Sequence, residues 1–222
     1  MKIFHISDTH GINVEDLLPS TPQPGSILVH SGDFSTNGDF LSNGIPFFTQ
    51  ISNVKSLFDH IIIVPGNHDM FMEEDLYTEE FLRLQFRLGN NVHILKYDTC
   101  RINGINFFGM PYVPRIGHWA FMEDRNSDSM RRRWELIPDD TQVLISHGPP
   151  LGILDSVHGE RVGCELHLER LDTLPNLKAN LFGHIHEDRG VALRRGVLFS
   201  NSSCMDECYD YGSPRPAQVI HI

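Results

Sequence analysis

The sequence predicts an α/β protein in which two mixed β-sheets pack face to face with α-helices outside. Three observations support this. Runs of β-branched and aromatic residues recur along the chain, helical stretches separate the early runs, and residues with metal-binding chemistry fall just beyond the runs' ends.

The strand-like runs lie at 2–7, 27–31, 61–64, 92–97, 101–109, 142–146, 180–182, 197–200 and 218–222. These are too many for one small sheet. Helical stretches are clearest at 47–60, 73–88 and 164–174, so the early chain alternates strand and helix, the pattern of parallel strands joined by crossovers. The runs at 92–97 and 101–109 follow each other too closely for a crossover and read as a hairpin or meander. Two mixed sheets accommodate both patterns. Segments 19–25 and 209–216, which contain Pro and Gly, read as surface loops. With 40% hydrophobic residues in 222, and no repeat, low-complexity tract or interdomain linker, the chain is expected to form a single domain over 1–222.

A formal net charge of −11 gives none of the basic footprint of a duplex-binding protein, so no duplex nucleic acid partner is expected. The dense basic run Arg131 to Arg133 precedes Trp134 in a predicted helix and reads as a solvated charged face, the alternative being a rim that attracts phosphate. The opening M-K-I-F-H-I-S-D lacks the apolar core and cleavage site of a signal peptide, and no apolar run reaches the length of a membrane span. A cytoplasmic protein without membrane partners is expected. Cys100, Cys164, Cys204 and Cys208 form no C-x-x-C pair and read as free thiols, with an opportunistic disulfide near the C-terminus as the alternative.

Seven potential metal ligands sit in five ordered blocks: Asp8 and His10 in S-D-T-H, Asp33 in S-G-D, Asn67 in P-G-N-H-D, His147 in S-H-G, and His184 with His186 in G-H-I-H. Each block follows a strand-like run, and in open α/β sheets ligands bind at the carboxyl edge of the strands. Single short motifs occur by chance; a G-N-H triplet, however, is expected only about 0.06 times in a chain of this composition. Five blocks together are a signal. Two divalent ions roughly 3.5–4 Å apart can clamp a phosphoryl group and generate hydroxide near neutral pH. Such a pair needs a bridging carboxylate, one oxygen facing each ion, and Asp33 is the natural candidate. Imidazole, carboxylate and amide oxygen without thiolate suit Mn, Fe or Zn, with Mn favoured in vitro. His68, next to Asn67, is suited to protonating the leaving oxygen as a general acid, and an orienting carboxylate is expected behind it; the alternative is a structural imidazole supporting Asn67.

The blocks D-x-H, G-D, G-N-H-D, S-H-G and G-H-x-H resemble the calcineurin-like metallophosphoesterase superfamily. That resemblance implies a β-sandwich flanked by helices with a dinuclear site at one edge. Position by position, it assigns a first ion to Asp8, His10, Asp33 and His186, a second to Asp33, Asn67, His147 and His184, and the catalytic role to His68. Protein serine/threonine phosphatases of the superfamily follow the Gly-Asp with a further Asp and Arg-Gly. Here the chain runs G-D-F-S-T-N-G, which speaks against a protein phosphatase.

G-H-W-A-F at 117–121, Trp134 with I-P, S-H-G-P-P-L-G at 146–152, R-V-G-C at 161–164 and N-S-S-C at 201–204 are similar to the brain-type and microbial branch of metallophosphoesterase-domain-containing proteins. Some animal members carry Gly where His184 stands and are weak catalysts; here the histidine is present. The resemblance implies hydrolysis of phosphodiesters or small, nucleotide-like phosphoesters by metal-bridged hydroxide. The alternative is a nucleotide-monophosphate-binding regulator or scaffold with little turnover. Among the other histidines, His5 and His30 read as hydrogen-bonded core residues, and His118, His158 and His167 either reach the site or face water. Trp119, Phe121 and Trp134 read equally as a base-stacking wall or as packing.

Overall fold

The computed structural model describes residues 1–74 and 77–222. In chain order its strands are β1 (Lys2–Ile6), β2 (Gln23–His30), β3 (Phe58–Ile63), β4 (Val92–Ile94), β5 (Thr99–Ile102), β6 (Ile105–Met110), β7 (Val113–Pro114) and β8 (Met122–Glu123). They continue with β9 (Val143–Ser146), β10 (Ser156–Val157), β11 (Glu160–Arg161), β12 (Ala179–Phe182), β13 (Gly190–Arg194), β14 (Val197–Asn201) and β15 (Gln218–His221). The helices are α1 (Ile45–Val54), α2 (Met70–Glu73), α3 (Glu79–Phe86), α4 (Asp128–Glu135) and α5 (Glu165–Leu171).

Two mixed sheets result, ordered β15-β1-β2-β3-β4 and β13-β14-β12-β9-β6-β5. Strands β1 to β4 are parallel with β15 antiparallel at the edge; β6, β9, β12 and β14 are parallel between antiparallel β5 and β13. Alternation along the strands explains why both faces are apolar. Ile3, Ile27, Val29 and Ile62 point toward Phe107, Val143, Ile145 and Leu181 in the layer between the sheets. Their neighbours Phe4, Leu28, Ile61, Phe108 and Leu144 join the outer core with Phe48 and Ile51 of α1, Leu82 of α3, Trp134 of α4 and Leu166 of α5. A strand covered on both sides reads as an unbroken apolar run such as I-I-I-V.

Three expectations shift in detail. The hairpin does not join 92–97 to 101–109: β4 pairs parallel with β3 in the first sheet, and the run 101–109 itself folds over as β5 and β6. Its turn is Asn103-Gly104, both at positive φ (51° and 81°), the Asn-Gly hairpin turn whose twist matches the strands. The helix expected over 47–60 ends at Val54, because Phe58 to His60 extend β3 against β2. In place of a helix over 73–88, α2 ends at Glu73 and α3 starts after Thr78, whose side chain accepts from Phe81 N; Asp75 and Leu76 lie outside the described residues. Among the described residues no helix is long and apolar enough to cross a membrane.

Candidate metal centre

The parallel strands of both sheets deliver their carboxyl ends to one edge. Asp8 follows β1, Asp33 follows β2, Asn67 follows β3, His147 follows β9 and His184 follows β12. The sheets meet there through the Ser7 to Ser203 bridge and through His147 Nδ1, 2.9 Å from Ser31 O. Asp8, His10, Asp33 and His184 hold left-handed backbone angles (φ 52°, 41°, 58° and 69°), each costing about 1 kcal/mol or more for an L-residue. Such strain concentrates where side chains are aimed for function.

Two donor groups emerge. Asp8, His10 and His186 form one; Asp33, His147 and His184 form the other; within each, the ligand atoms lie within 4.8 Å of one another. Asn67 Oδ1 stands 2.9 Å from His147 Nε2, beside the second group. Asp33 joins the two, since its Oδ2 is 3.3 Å from His147 Nε2 and 3.9 Å from His10 Nε2. Its Oδ1 is taken by the His68 backbone N–H at 2.7 Å. Oδ2 is thus the Asp33 oxygen that imidazoles of both groups approach.

The donor set fits divalent cations. His10, His147 and His186 each set Nδ1 against a backbone carbonyl, of Ser35 (2.9 Å), Ser31 (2.9 Å) and Asp206 (3.0 Å), which directs Nε2 inward. His10 Nε2 is buried and has no hydrogen-bond partner, a buried lone pair that a cation would satisfy. Around His147, Ser31 O, Asn67 Oδ1 and Asp33 Oδ2 present three acceptors to two ring nitrogens. Without a metal, only an imidazolium satisfies them: burial lowers the His147 pKa, but Asp33 outweighs it and carries it up to about 9. Burial likewise pushes the Asp33 carboxyl up, and His147, His10 and His68 together hold it below the usual carboxylate range. Burial brings His184 down to about 3, so it is neutral and ready to donate a lone pair.

His68 lies at the rim, its Nε2 4.0 Å from Asp33 Oδ2 and its ring 4.8 Å from that of His10. The expected orienting carboxylate is a backbone carbonyl instead: His68 Nδ1 is 2.7 Å from Thr36 O. Trp119 stacks on the imidazole at 4.0 Å and 23°, which places this aromatic at the site. Phe121 and Trp134 are core, Trp134 stacking on buried His167 at 4.1 Å. His118 and His158 are exposed, and neither belongs to a donor group. His5 and His30 are buried beside hydroxyls, His5 between Ser200 and Ser31 and His30 against Thr9. Two residues of the basic run are engaged with protein, Arg131 with Glu169 and Arg133 with Glu123 and the face of Tyr112, while Arg132 is exposed. All four cysteines are free thiols, with Cys204 buried and Cys208 exposed.

Three contributors carry no assignment from the sequence. Asp69 accepts from the backbone N–H groups of Asp33, Gly66 and Ser35 (2.9, 2.7 and 2.9 Å), locking the Asp33 loop to the Asn67 loop. Ser203, in the N-S-S-C block, donates to Asp8 Oδ2 at 2.8 Å. Tyr209, in a segment expected to be a plain surface loop, lays its ring against His10 (5.1 Å) and His186 (4.8 Å). The P-G-N-H-D block already contained Asp69, and a carboxylate two residues past Asn67 was the available signal.

A sandwich with two acid-imidazole groups at the joint carboxyl edge defines a class of metal-dependent phosphoesterases, and comparison with known proteins agrees. Residues 1–188 match the model of the calcineurin-like phosphoesterase family. The chain is 32% identical over 211 residues to UPF0046 protein K07C11.7 of Caenorhabditis elegans, covering 91% of this chain and 69% of that protein. To metallophosphoesterase domain-containing protein 1 of Homo sapiens it is 29% identical over 230 residues, covering 94% of this chain and 68% of that protein. The crystal structure of TT1561 of Thermus thermophilus matches with a TM-score of 0.56 at 15% identity, over 90% of this chain and 88% of the other, a likeness of fold alone. This chain belongs to the calcineurin-like phosphoesterase family.

Proposed function

We propose that the protein is a dinuclear-metal phosphoesterase that hydrolyses phosphodiesters or small, nucleotide-like phosphoesters, with manganese as its favoured ion in vitro and the cytoplasm as its place of action. The observation that carries this reading is Asp33 Oδ2, which lies within 4 Å of imidazole nitrogens from both donor groups. Asp8, His10, Asp33 and His186 would hold one ion, and Asp33, Asn67, His147 and His184 the other. When bound, such a pair supplies Lewis acidity toward phosphoryl oxygens and lowers the pKa of water.

The chain's own residues do the rest. His68 is placed to hand a proton to the departing ester oxygen: its Nδ1–H donates to Thr36 O, which turns Nε2 toward the centre, the Trp119 ring fixes the imidazole plane, and the doubly protonated ring is the form that carries a proton at Nε2. Asp69 holds the Asp33 and Asn67 loops in register, and Ser203 with the His184 N–H (2.9 Å) holds Asp8. Hydrolysis of bis-p-nitrophenyl phosphate by apo protein with Mn, Fe or Zn added back tests the reading, alongside equilibrium binding of AMP and GMP. Metal-stimulated turnover is expected. Nucleotide binding with no turnover under any metal would replace the hydrolase with a binding protein.

A further inference from the structure

Beside the second donor group lies a cleft of about 400 Å³, whose walls include Pro114, Ile116, Pro149, Val157, Val162 and His184. His184 belongs to both, its ring 4.8 Å from that of His147, so the cleft adjoins the candidate centre. Its lining is mostly aliphatic. Ile116 is 67% exposed, a large apolar side chain left in water at the mouth of the cleft, where core packing does not require it. On a chain with 29 acidic residues, no carboxylate lines this cleft among the described residues.

Two arginines also line it, and their partners decide what kind of ligand suits it. Arg115 Nε pairs with Asp124 at 2.6 Å; Arg125 pairs with Glu165 at 2.7 Å and donates to Val162 O and Gly163 O. Both guanidiniums have a carboxylate partner, and Arg125 serves to hold the wall. The facing hairpin is fixed as well, since Ser156 N–H and His158 N–H donate to Asp188 and Glu187, each at 2.8 Å. A preformed cleft walled mostly by aliphatic side chains, with its arginines paired, suits an uncharged, apolar group.

We infer that this cleft is a specificity subsite that holds an apolar, aryl-like arm esterified to the phosphate. The inference rests on the phosphoesterase reading and extends it to the substrate class: diesters with one apolar arm. The cleft includes neither His68 nor Trp119. The arm it holds is therefore the one retained, not the one that leaves.

The test keeps the leaving group constant. In phenyl p-nitrophenyl phosphate and methyl p-nitrophenyl phosphate, water oxygen bonds to phosphorus, the bond from phosphorus to the nitrophenolate oxygen breaks, and the retained arm stays on a phosphate monoester with release of protons. The manganese-loaded protein is expected to favour the phenyl over the methyl diester in kcat/KM by roughly tenfold, the scale on which an apolar pocket discriminates. Ile116→Ser, at an exposed position, and Val157→Phe, which fills the slot, are each expected to cut that ratio about threefold or more, with thermal unfolding checking the fold. A parent ratio near one, or variants that keep the parent ratio, would overturn the subsite. Absence of turnover with both diesters would instead refute the hydrolase reading. In that case calorimetric binding of phenylphosphonate against methylphosphonate decides: tighter phenyl binding that Ile116→Ser removes supports the cleft, and equal binding refutes it.

Discussion

Gly183 is the sharpest mechanical test of the candidate centre. A Cβ at this position would fall well inside van der Waals contact of Asp8 Oδ2 and Ser7 Oγ, and 2.6 Å from Ser7 Cβ, where real Cβ atoms keep at least 3.0 Å. Ser7 is buried in the bridge to Ser203, and Asp8 is held by Ser203 Oγ and the His184 N–H, so neither can step aside alone. Gly183→Ala must therefore move the Asp8 carboxylate or the His184 backbone. Overpacking of this kind costs about 1–3 kcal/mol. A weakened hydrogen bond to a buried carboxylate adds about 1.5–3 kcal/mol. For a chain of this size the sum, about 3 kcal/mol or more, lowers Tm by about 6 °C or more. Because Asp8 belongs to the first donor group, bound manganese should fall below two equivalents by elemental analysis. Gly190→Ala is the control: its added Cβ meets only the end of Leu154, at 3.3 Å. A Gly183→Ala protein that binds two ions and melts within about 2 °C of the parent would refute the reasoning.

Asp33→Asn removes the carboxylate that both groups approach, and is expected to abolish activity while leaving far-UV circular dichroism intact; two retained ions with normal turnover would take Asp33 out of the shared position. For His68→Ala the rate should drop about 10²–10⁴-fold with alkoxide leaving groups and much less with p-nitrophenolate. A deficit constant across leaving groups would assign His68 to phosphate positioning. Metal binding should release a proton from His147, whose metal-free pKa is raised to about 9. Since the proton and the ion compete for the same nitrogen, affinity rises with pH up to about 9, and calorimetry in buffers of different ionisation enthalpy measures the release. Zero proton uptake by the buffers at pH 7 would contradict the imidazolium. The buried neutral His5 and His30 have pKa values lowered to about 3 by burial, so they stabilise the fold fully above about pH 6.5 and progressively less as pH falls toward 3. At pH 5 each is expected to cost about 2 kcal/mol of stability, visible in denaturant melts; a melt unchanged between pH 7 and 5 would count against their burial as neutral groups.

The placement of Asp8, His10, Asp33, Asn67, His147, His184 and His186 just beyond strand ends was legible in the chain because side-chain chemistry and position at a strand end are both local properties. The alternation that built the two-sheet class is local as well. The hairpin was misplaced although its signal was present: Asn103-Gly104 interrupts an apolar run, and turn chemistry outweighs continuity of hydrophobicity. What orients the site left no such trace. Thr36, Ser31, Ser35 and Asp206 act through backbone carbonyls, which every residue type carries equally. Trp119 on His68 and Tyr209 against His10 are contacts across long stretches of chain, and an aromatic residue has the same composition signature in a core as at a rim. The sequence by itself therefore determined which atoms could bind metal and which strands would carry them. Only the tertiary structure decided that Asp33 Oδ2 lies between two groups and that an apolar cleft opens beside His184, because distances between strand ends depend on how two sheets pack.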